Sequence, residues 1–128
     1  MLLNVFVICI AACVGALLRW GFALWLNPGS VLPWGTLAVN LIGGYLIGVA
    51  IGVFNGLPNL DPAWRLMVIT GFLGTLTTFS SFSGEVVGML LQQRYALALG
   101  TAAMHIAGSL LLTFAGLRSA QWALAALR

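Results

Sequence analysis

Residues 71–83, Gly-Phe-Leu-Gly-Thr-Leu-Thr-Thr-Phe-Ser-Ser-Phe-Ser, hold much of the potential chemistry of this chain: two glycines, six hydroxyl residues and three phenylalanines. Hydroxyl groups donate and accept hydrogen bonds, and the edge of a phenylalanine ring carries partial positive charge. Phe79 and Phe82 are three positions apart, so on a helix their rings lie on one face. Two interpretations follow: simple aromatic packing, or ring edges and donors that replace the water shell of a small, hard anion.

A second candidate is Asn40, an amide within an apolar stretch at residues 34–54. Burying an amide in hydrocarbon is costly unless it finds partners, and Thr36 lies one turn away on the same helical face. Asn40 could therefore form a helix–helix hydrogen bond, which is common in membrane bundles, or it could face a pathway as a donor. The residue alone does not decide between them.

Polar residues also recur every fourth position near the C-terminus, at Thr101, His105, Ser109 and Thr113, which places them on one helical face. A single hydroxyl in a membrane helix usually bonds to a carbonyl of its own helix. Four in register instead predict a polar track that faces water or protein. No carboxylate accompanies His105 as a proton relay would require, so a polar lining or a packed neutral imidazole is expected.

Few charged residues could act within the membrane. Glu85 is either a functional carboxylate or a polar anchor that reaches outward. Arg19 can extend its charge to the interface and could attract anions to a vestibule. Cys9 and Cys13 lie one turn apart without other soft ligands, so we interpret them as packing residues.

The composition requires a membrane around these residues. The hydrophobic fraction is 62%, the charged fraction 5% and the mean hydropathy +1.10, whereas soluble domains carry about 25% charged residues. The arginines are scattered, so no basic patch for nucleic acid can form, and no catalytic constellation predicts an enzyme. The N-terminal sequence lacks the positive region of a secretory signal, so the first apolar stretch should stay as a membrane helix.

The sequence predicts an all-α membrane protein with a single domain, residues 1–128, and four transmembrane helices, because about 20 apolar residues cross a bilayer. The predicted spans are 3–26, 34–54, 63–91 and 96–117. An amphipathic tail from Arg118 is expected at the interface.

The third span is long enough to contain a break. Gly71 and Gly74, which precede Thr77 and Thr78, predict a helix that is interrupted in the middle of the membrane. The carbonyl groups freed by such a break can coordinate a cation, as they do in transporters with unwound helices.

The arginines barely distinguish the two sides of the membrane. Arg65, Arg118 and Arg128 fall on the side of the termini, against Arg19 and Arg94 on the other. The positive-inside rule depends on a difference between the sides. Either another feature sets the topology, or copies insert both ways and pair antiparallel; so small a bundle encloses little by itself, which favours a dimer.

Taken together, these motifs resemble the Fluc (CrcB) family of fluoride channels. The resemblance covers essentially the whole chain and rests on residues 15–19, residues 35–40 with Gly43, and above all residues 71–82. Ala11 and Ala12 stand where the family often has glycines, a small-for-small change of little expected consequence.

The resemblance implies an antiparallel homodimer with dual topology and two pores. It implies that Asn40 hydrogen-bonds the ion, that Phe79 and Phe82 supply aromatic edges, and that Ser109 and Thr113 form the polar track. We also place Thr36, Ser81 and His105 along the fluoride pathway, the role of His105 staying open.

The resemblance further implies a structural Na⁺ at the dimer interface, held by the backbone carbonyls of Gly74 and Thr77. Arg19 matches a vestibule arginine, and Glu85 matches a carboxylate to which we assign no role.

The expected function is passive export of fluoride across the bacterial inner membrane. HF enters cells through lipid and dissociates in the more alkaline cytoplasm, and the anion leaves down its electrochemical gradient. One rival is a dual-topology, proton-coupled multidrug exporter, which needs a carboxylate that the first span lacks. Another is a structural subunit that does not conduct.

Overall fold

The computed structural model describes residues 1–127, which are almost entirely helical. The helices are α1 (Leu2–Leu26), α2 (Trp34–Gly56), α3 (Pro62–Arg65), a π-helical stretch (Leu66–Leu73), α4 (Gly74–Leu76), α5 (Phe79–Leu91) and α6 (Tyr95–Ala126). Arg128, counted above in the charge balance, lies outside the described residues.

Within residues 1–127, four helical segments are long and apolar enough to cross a membrane: Leu2–Leu26, Trp34–Gly56, Pro62–Leu91 and Tyr95–Ala126. This confirms the prediction of an all-α membrane protein with four spans. Helix α6 continues to Ala126, beyond the end predicted at residue 117, so the segment from Arg118 is not a separate element. Its residues are good helix formers without glycine or proline, and nothing in them stops the helix.

Polar caps order the two longer connections. After α1, the Asn27 side chain accepts a hydrogen bond of 2.7 Å from the Gly35 backbone N–H, and Gly29 adopts a positive φ of 70° that suits glycine. After α2, the Asp61 carboxylate accepts from the Ala63 N–H at 2.8 Å and so caps α3.

Helices α2 and α6 pack with their backbones almost in contact. A methyl group at Gly48 would overlap the Thr113 carbonyl oxygen, and one at Gly116 would overlap that of Tyr45. The small-residue spacing of Gly44, Gly48 and Gly52 therefore serves close helix packing.

The third span packs against α1 in the same way. A methyl group at Gly15 would overlap the Phe72 carbonyl oxygen and the Thr75 hydroxyl, and one at Gly71 would lie 2.8 Å from the Ala11 side chain. Between these contacts and α2 lies the apolar core, which consists of Val39, Ala50, Leu73 and Leu76.

Within the third span the helical path stops after Leu76 and resumes at Phe79. Thr77 (ψ 156°) and Thr78 (φ −151°, ψ 115°) are extended. The Thr78 hydroxyl accepts from the Ser81 N–H at 3.1 Å and caps α5. The extended residues are thus two threonines, whereas Gly71 and Gly74 are themselves helical.

Candidate ion pathway

The extended residue Thr78 is held by the side chain of Asn40 in α2. Its backbone N–H donates to Asn40 Oδ1 at 2.8 Å, and its carbonyl oxygen accepts from Asn40 Nδ2 at 3.0 Å. An interruption leaves backbone groups without their helical partners, and unpaired polar groups are costly in an apolar interior. The amide supplies both missing partners, so the helix–helix hydrogen bond considered for Asn40 is present.

Asn40 also contacts His105 in α6. Its Nδ2 atom lies 3.1 Å from His105 Nδ1. The histidine is only 4% exposed, and its Nε2 atom has no hydrogen-bond partner among the described residues. The two polar residues that the sequence placed in separate spans therefore meet at the interruption.

The aromatic pair continues from this histidine. Phe82 stacks on the imidazole, with centroids 4.5 Å apart and planes at 27°, and Phe79 meets Phe82 edge-on at 5.4 Å and 68°. Phe82 is buried, whereas Phe79 is 77% exposed on the surface of this single chain. Their spacing on α5 does bring the two rings to one face.

These groups border one cavity of about 480 Å³ between α2, the third span and α6. Eight of the predicted site residues line it: Asn40, Gly74, Thr77, Phe79, Phe82, His105, Ser109 and Thr113. The remaining wall is mostly aliphatic or glycine, so the cavity is apolar with a few polar groups, as is usual for sites that bind small ligands.

The polar stripe of α6 divides at this cavity. Thr113 donates to the Gly44 carbonyl at 2.9 Å and to the Ser109 carbonyl at 2.8 Å, so its hydroxyl is engaged with backbone. Thr101 is buried elsewhere and contacts the Met89 sulfur at 3.5 Å. The stripe therefore faces protein at its start and the cavity from His105 onward.

Thr36 does not bond to Asn40, its neighbour one turn away on α2. It donates instead to Glu85 Oε1 at 2.5 Å. The other carboxyl oxygen, Oε2, is buried without a partner among residues 1–127. Glu85 therefore turns inward to α2 and is not the outward-reaching anchor that the sequence allowed.

Arg19 reaches the third span just before the interruption. Its Nε–H donates to the Thr75 carbonyl at 3.0 Å. Arg19 also borders two further cavities, one of about 220 Å³ that it shares with Thr36 and Ser81, and one of about 470 Å³ that includes Gly74 and Thr77. A cationic group therefore lies beside the interruption and borders both clefts.

The interruption also frees backbone carbonyls that could hold a cation. In a regular helix the Gly74 carbonyl would accept from the Thr78 N–H, which here donates to Asn40. The Thr77 carbonyl would accept from the Ser81 N–H, which here donates to the Thr78 hydroxyl. Neutral carbonyl oxygens suit a hard cation, so these residues fit the Na⁺ that the family resemblance implies.

Sequence reasoning missed the roles of Thr75 and Thr78. Thr78 is both the clamped residue and the cap of α5, and a threonine directly before a helical segment is a recognisable cap signal. No sequence pattern marks Thr75. Its hydroxyl donates to the carbonyl oxygens of Ala12 in α1, at 3.0 Å, and of Gly71 in the third span, at 2.8 Å. Only the tertiary contact with α1 makes it visible.

The cysteines are free and exposed on α1. Within the described part of the chain, no three His, Cys, Asp or Glu side chains come together as a metal site would require.

Comparison with known proteins gives consistent matches over nearly the whole chain. The family model described as "CrcB-like protein, Camphor Resistance (CrcB)" matches residues 6–117. A protein of Paracidovorax citrulli named fluoride-specific ion channel FluC is 75% identical over 125 residues, covering 98% of this chain and 99% of the relative. Proteins of the same name from Albidiferax ferrireducens and Variovorax paradoxus are 66% and 65% identical, covering 98% and 94% of this chain and 96% and 97% of the relatives.

Proposed function

The chain belongs to the CrcB family, as its motifs predict, and from this premise we propose that it is a passive, fluoride-selective channel. The relatives named above are ion channels and not enzymes, in agreement with the sequence prediction. The observation that carries the proposal is the cavity at which Asn40, Phe82, His105 and Ser109 converge beside the interrupted helix.

In the proposed pathway a dehydrated anion moves along this cavity. Phe79 and Phe82 offer positive ring edges, and Ser109 borders the path as a polar residue. Asn40 and Thr113 donate to the ion by exchanging one of their present hydrogen-bond partners for it. Thr36 and Ser81 line the neighbouring cleft toward Arg19. Selectivity then depends on donor spacing and pore width, and conduction requires that each contact hold the ion weakly. Arg19 raises the local anion concentration at the entrance.

The working unit in this proposal is an antiparallel homodimer with dual topology and two pores. Phe79 borders the cavity and is 77% exposed in a single chain, so a second copy would complete the wall. The nearly balanced arginines support insertion in both directions. The interruption of the third span then lies at mid-membrane depth, where irregular backbone must be covered by protein or water.

We also propose that Na⁺ occupies the dimer interface, bound by the carbonyls of Gly74 and Thr77. The two carbonyls have lost their helical donors, and the cation would take the place of those donors at the carbonyl oxygens. Replacing Na⁺ by K⁺ during purification should then lower the melting temperature and increase the monomer fraction. An unchanged melting temperature would argue against the site.

The physiological role follows from acid–base chemistry. HF crosses lipid, dissociates inside the cell and would accumulate as fluoride, and a channel in the inner membrane lets the anion leave under the negative interior potential. No proton coupling is required, which separates this proposal from the exporter considered above.

The test is efflux from proteoliposomes that contain the purified protein, measured with fluoride and chloride electrodes under an imposed K⁺ potential. We expect rapid fluoride efflux without a proton gradient and no measurable chloride efflux. Efflux that depends on a proton gradient would support the multidrug exporter. If a folded dimer passed no fluoride, the hypothesis of a structural subunit that does not conduct would remain.

A further inference from the structure

The cavity of about 480 Å³ does not extend to the side of the membrane that holds the chain termini. Toward that side its last lining residues are Ile47 in α2 and Thr113 in α6. Helix α2 continues to Gly56, which adds about 14 Å at 1.5 Å per residue, and α6 continues to Ala126. An ion that leaves the cavity in this direction therefore has to pass further along the groove between the two helices.

A second cavity, of about 410 Å³, lies in the same groove nearer the helix ends. Its lining residues are Gly52, Asn55, Gly56, Leu117, Gln121, Leu124 and Ala125. On α6, Leu117 and Gln121 continue the series of every fourth residue that includes Ser109 and Thr113. Residues with this spacing lie on one helical face, so the second cavity follows the first along α6.

The two cavities are also aligned along α2. The glycines of α2 that approach α6 recur every fourth residue, at Gly44, Gly48, Gly52 and Gly56. Gly43 and Ile47, which border the first cavity, directly precede two of these glycines, and Asn55, which borders the second cavity, directly precedes another. Both cavities therefore open on the same side of the contact between α2 and α6.

Leu117 lies between the two cavities. A methyl group at Gly48 would lie 2.8 Å from the Leu117 backbone nitrogen, and it would overlap the carbonyl oxygen of Thr113, where the first cavity ends. A methyl group at Gly52, one turn later, would lie 3.5 Å from Leu117 Cδ1. The half-buried leucine side chain thus reaches α2 at the level where the second cavity begins.

The groove is apolar at this level. Residues 48–54 of α2 have no polar side chain. On α6 the next hydroxyl after Thr113 is that of Ser119, which donates to the Ala115 carbonyl of its own helix at 2.9 Å. The next polar lining residue is Gln121, about 12 Å further along α6. Water finds no side-chain partner along this stretch, and narrow apolar constrictions in channels exclude water.

Beyond Leu117 the second cavity opens to water. Asn55 and Gln121, which border it, are exposed residues, so an ion at this position is hydrated and neither amide is required for conduction. Arg118 lies beside this opening, with its Nη1 atom 3.4 Å from Gln121 Oε1. Its positive charge raises the local concentration of anions at this end of the groove, as Arg19 does at the other end of the proposed pathway.

We infer that the side chain of Leu117 forms an apolar neck in the fluoride pathway, and that the 410 Å³ cavity is the vestibule beyond this neck. The inference rests on the proposed fluoride channel. A continuous file of water molecules would carry protons through the pore, whereas an apolar neck interrupts the file. Leu117 therefore limits the rate at which fluoride passes and keeps the pore closed to protons.

Two substitutions test the neck. Leu117→Asn keeps nearly the shape of leucine but adds a hydrogen-bond donor, and Leu117→Ala widens the groove. We expect fluoride efflux from proteoliposomes to rise several-fold in both variants, because each change lets water enter the neck. A proton leak should also appear in liposomes without fluoride, measured with an internal pH dye under an imposed K⁺ potential.

Leu111→Ala is the matched control, because Leu111 is an exposed leucine of α6 that borders neither cavity. It should show the efflux of the parent protein and no proton leak. If Leu117 only packed α6 against α2, both substitutions would slow efflux or leave it unchanged. That outcome, or the absence of a proton leak in both variants, would overturn the inference.

A second measurement leaves the neck unchanged and tests the vestibule. Cys9 and Cys13 are the two cysteines of the chain, so Gln121→Cys can be made in a protein in which both are replaced by serine. The purified variant is modified with an anionic methanethiosulfonate before reconstitution. We expect the modification to slow fluoride efflux several-fold, because the added group fills the vestibule.

Asn4→Cys, at an exposed position of α1 that borders neither cavity, is the control for the modification and should conduct equally before and after it. If modification of the Gln121→Cys variant left efflux unchanged, the second cavity would lie outside the pathway. The inference would then be wrong even if the Leu117 variants failed to fold.

These results also separate the inference from the proposed function. If the parent protein passes no fluoride, the channel proposal itself fails. If the parent passes fluoride while the Leu117 variants and the modified Gln121→Cys variant conduct as it does, the channel stands and Leu117 is a packing residue.

Discussion

Asn40 forms two hydrogen bonds with the backbone of one residue, Thr78, accepting from its N–H at 2.8 Å and donating to its carbonyl at 3.0 Å. One side chain of α2 thus replaces the helical partners that the third span loses where it becomes extended. Because the Thr78 N–H must face Asn40 Oδ1, the amide Nδ2 faces His105 Nδ1 and donates to it. The backbone of the third span therefore determines, through Asn40, which ring nitrogen of His105 accepts a hydrogen bond.

Asn40→Ala should destabilise the protein and stop fluoride efflux. It leaves both backbone groups of Thr78 without the amide, at about 1–3 kcal/mol for each buried unsatisfied group. The change can be measured as a lower melting temperature in detergent and as lost efflux. Asn55→Ala, at an exposed position on the same helix, should change neither the melting temperature nor the efflux. An Asn40→Ala protein as stable as the parent would contradict a stabilising role for the Asn40–Thr78 hydrogen bonds.

Phe79→Ile and Phe82→Ile should each slow fluoride efflux strongly while the dimer still forms. Isoleucine keeps the apolar character but lacks the positive ring edge. Because Phe82 is buried and Phe79 exposed, only Phe82→Ile should also cost stability, by about 1 kcal/mol. Phe6→Ile, on an exposed face of α1 away from the cavity, is the control, and parent-like efflux in both cavity variants would remove the rings from the pathway.

Gly48→Ala should destabilise the bundle, because the added methyl group would overlap the Thr113 carbonyl oxygen of α6. Overpacking of this kind costs about 1–3 kcal/mol. Gly100→Ala is a matched glycine in α6 with nothing within 4 Å of the added carbon, and it should be neutral or stabilising since alanine favours the helix. Equal melting temperatures for the two variants would mean that α2 and α6 are not so closely packed.

Arg19→Gln should reduce efflux several-fold, because it removes both the charge at the entrance and the Nε donor to the Thr75 carbonyl. The loss should shrink as ionic strength rises, since salt screens the long-range attraction of anions by this half-buried charge. Arg94→Gln, in the connection before α6, removes an equal charge away from the cavities and should have little effect. If the loss of efflux did not depend on salt, Arg19 would act only through its hydrogen bond to the Thr75 carbonyl.

The sequence by itself determined the class of the protein, the four spans and most of the residues that border the cavity. Apolar stretches long enough to cross a bilayer, with few charged residues, are stable as helices in lipid because a helix satisfies its own backbone hydrogen bonds. The spacing of Phe79 and Phe82, and that of His105, Ser109 and Thr113, fixes which side chains share a helical face. Such properties depend on residues close together in the chain.

The tertiary structure decided how those faces meet. Periodicity cannot show that Asn40 pairs with Thr78 and not with Thr36, because both partners are within reach of an amide and the choice depends on the register of α2 against the third span. Nor can it show that Glu85 turns inward to Thr36 or that Arg19 contacts the Thr75 carbonyl. These are contacts between residues far apart in the chain, and backbone approach at glycines such as Gly15 and Gly48 sets their geometry.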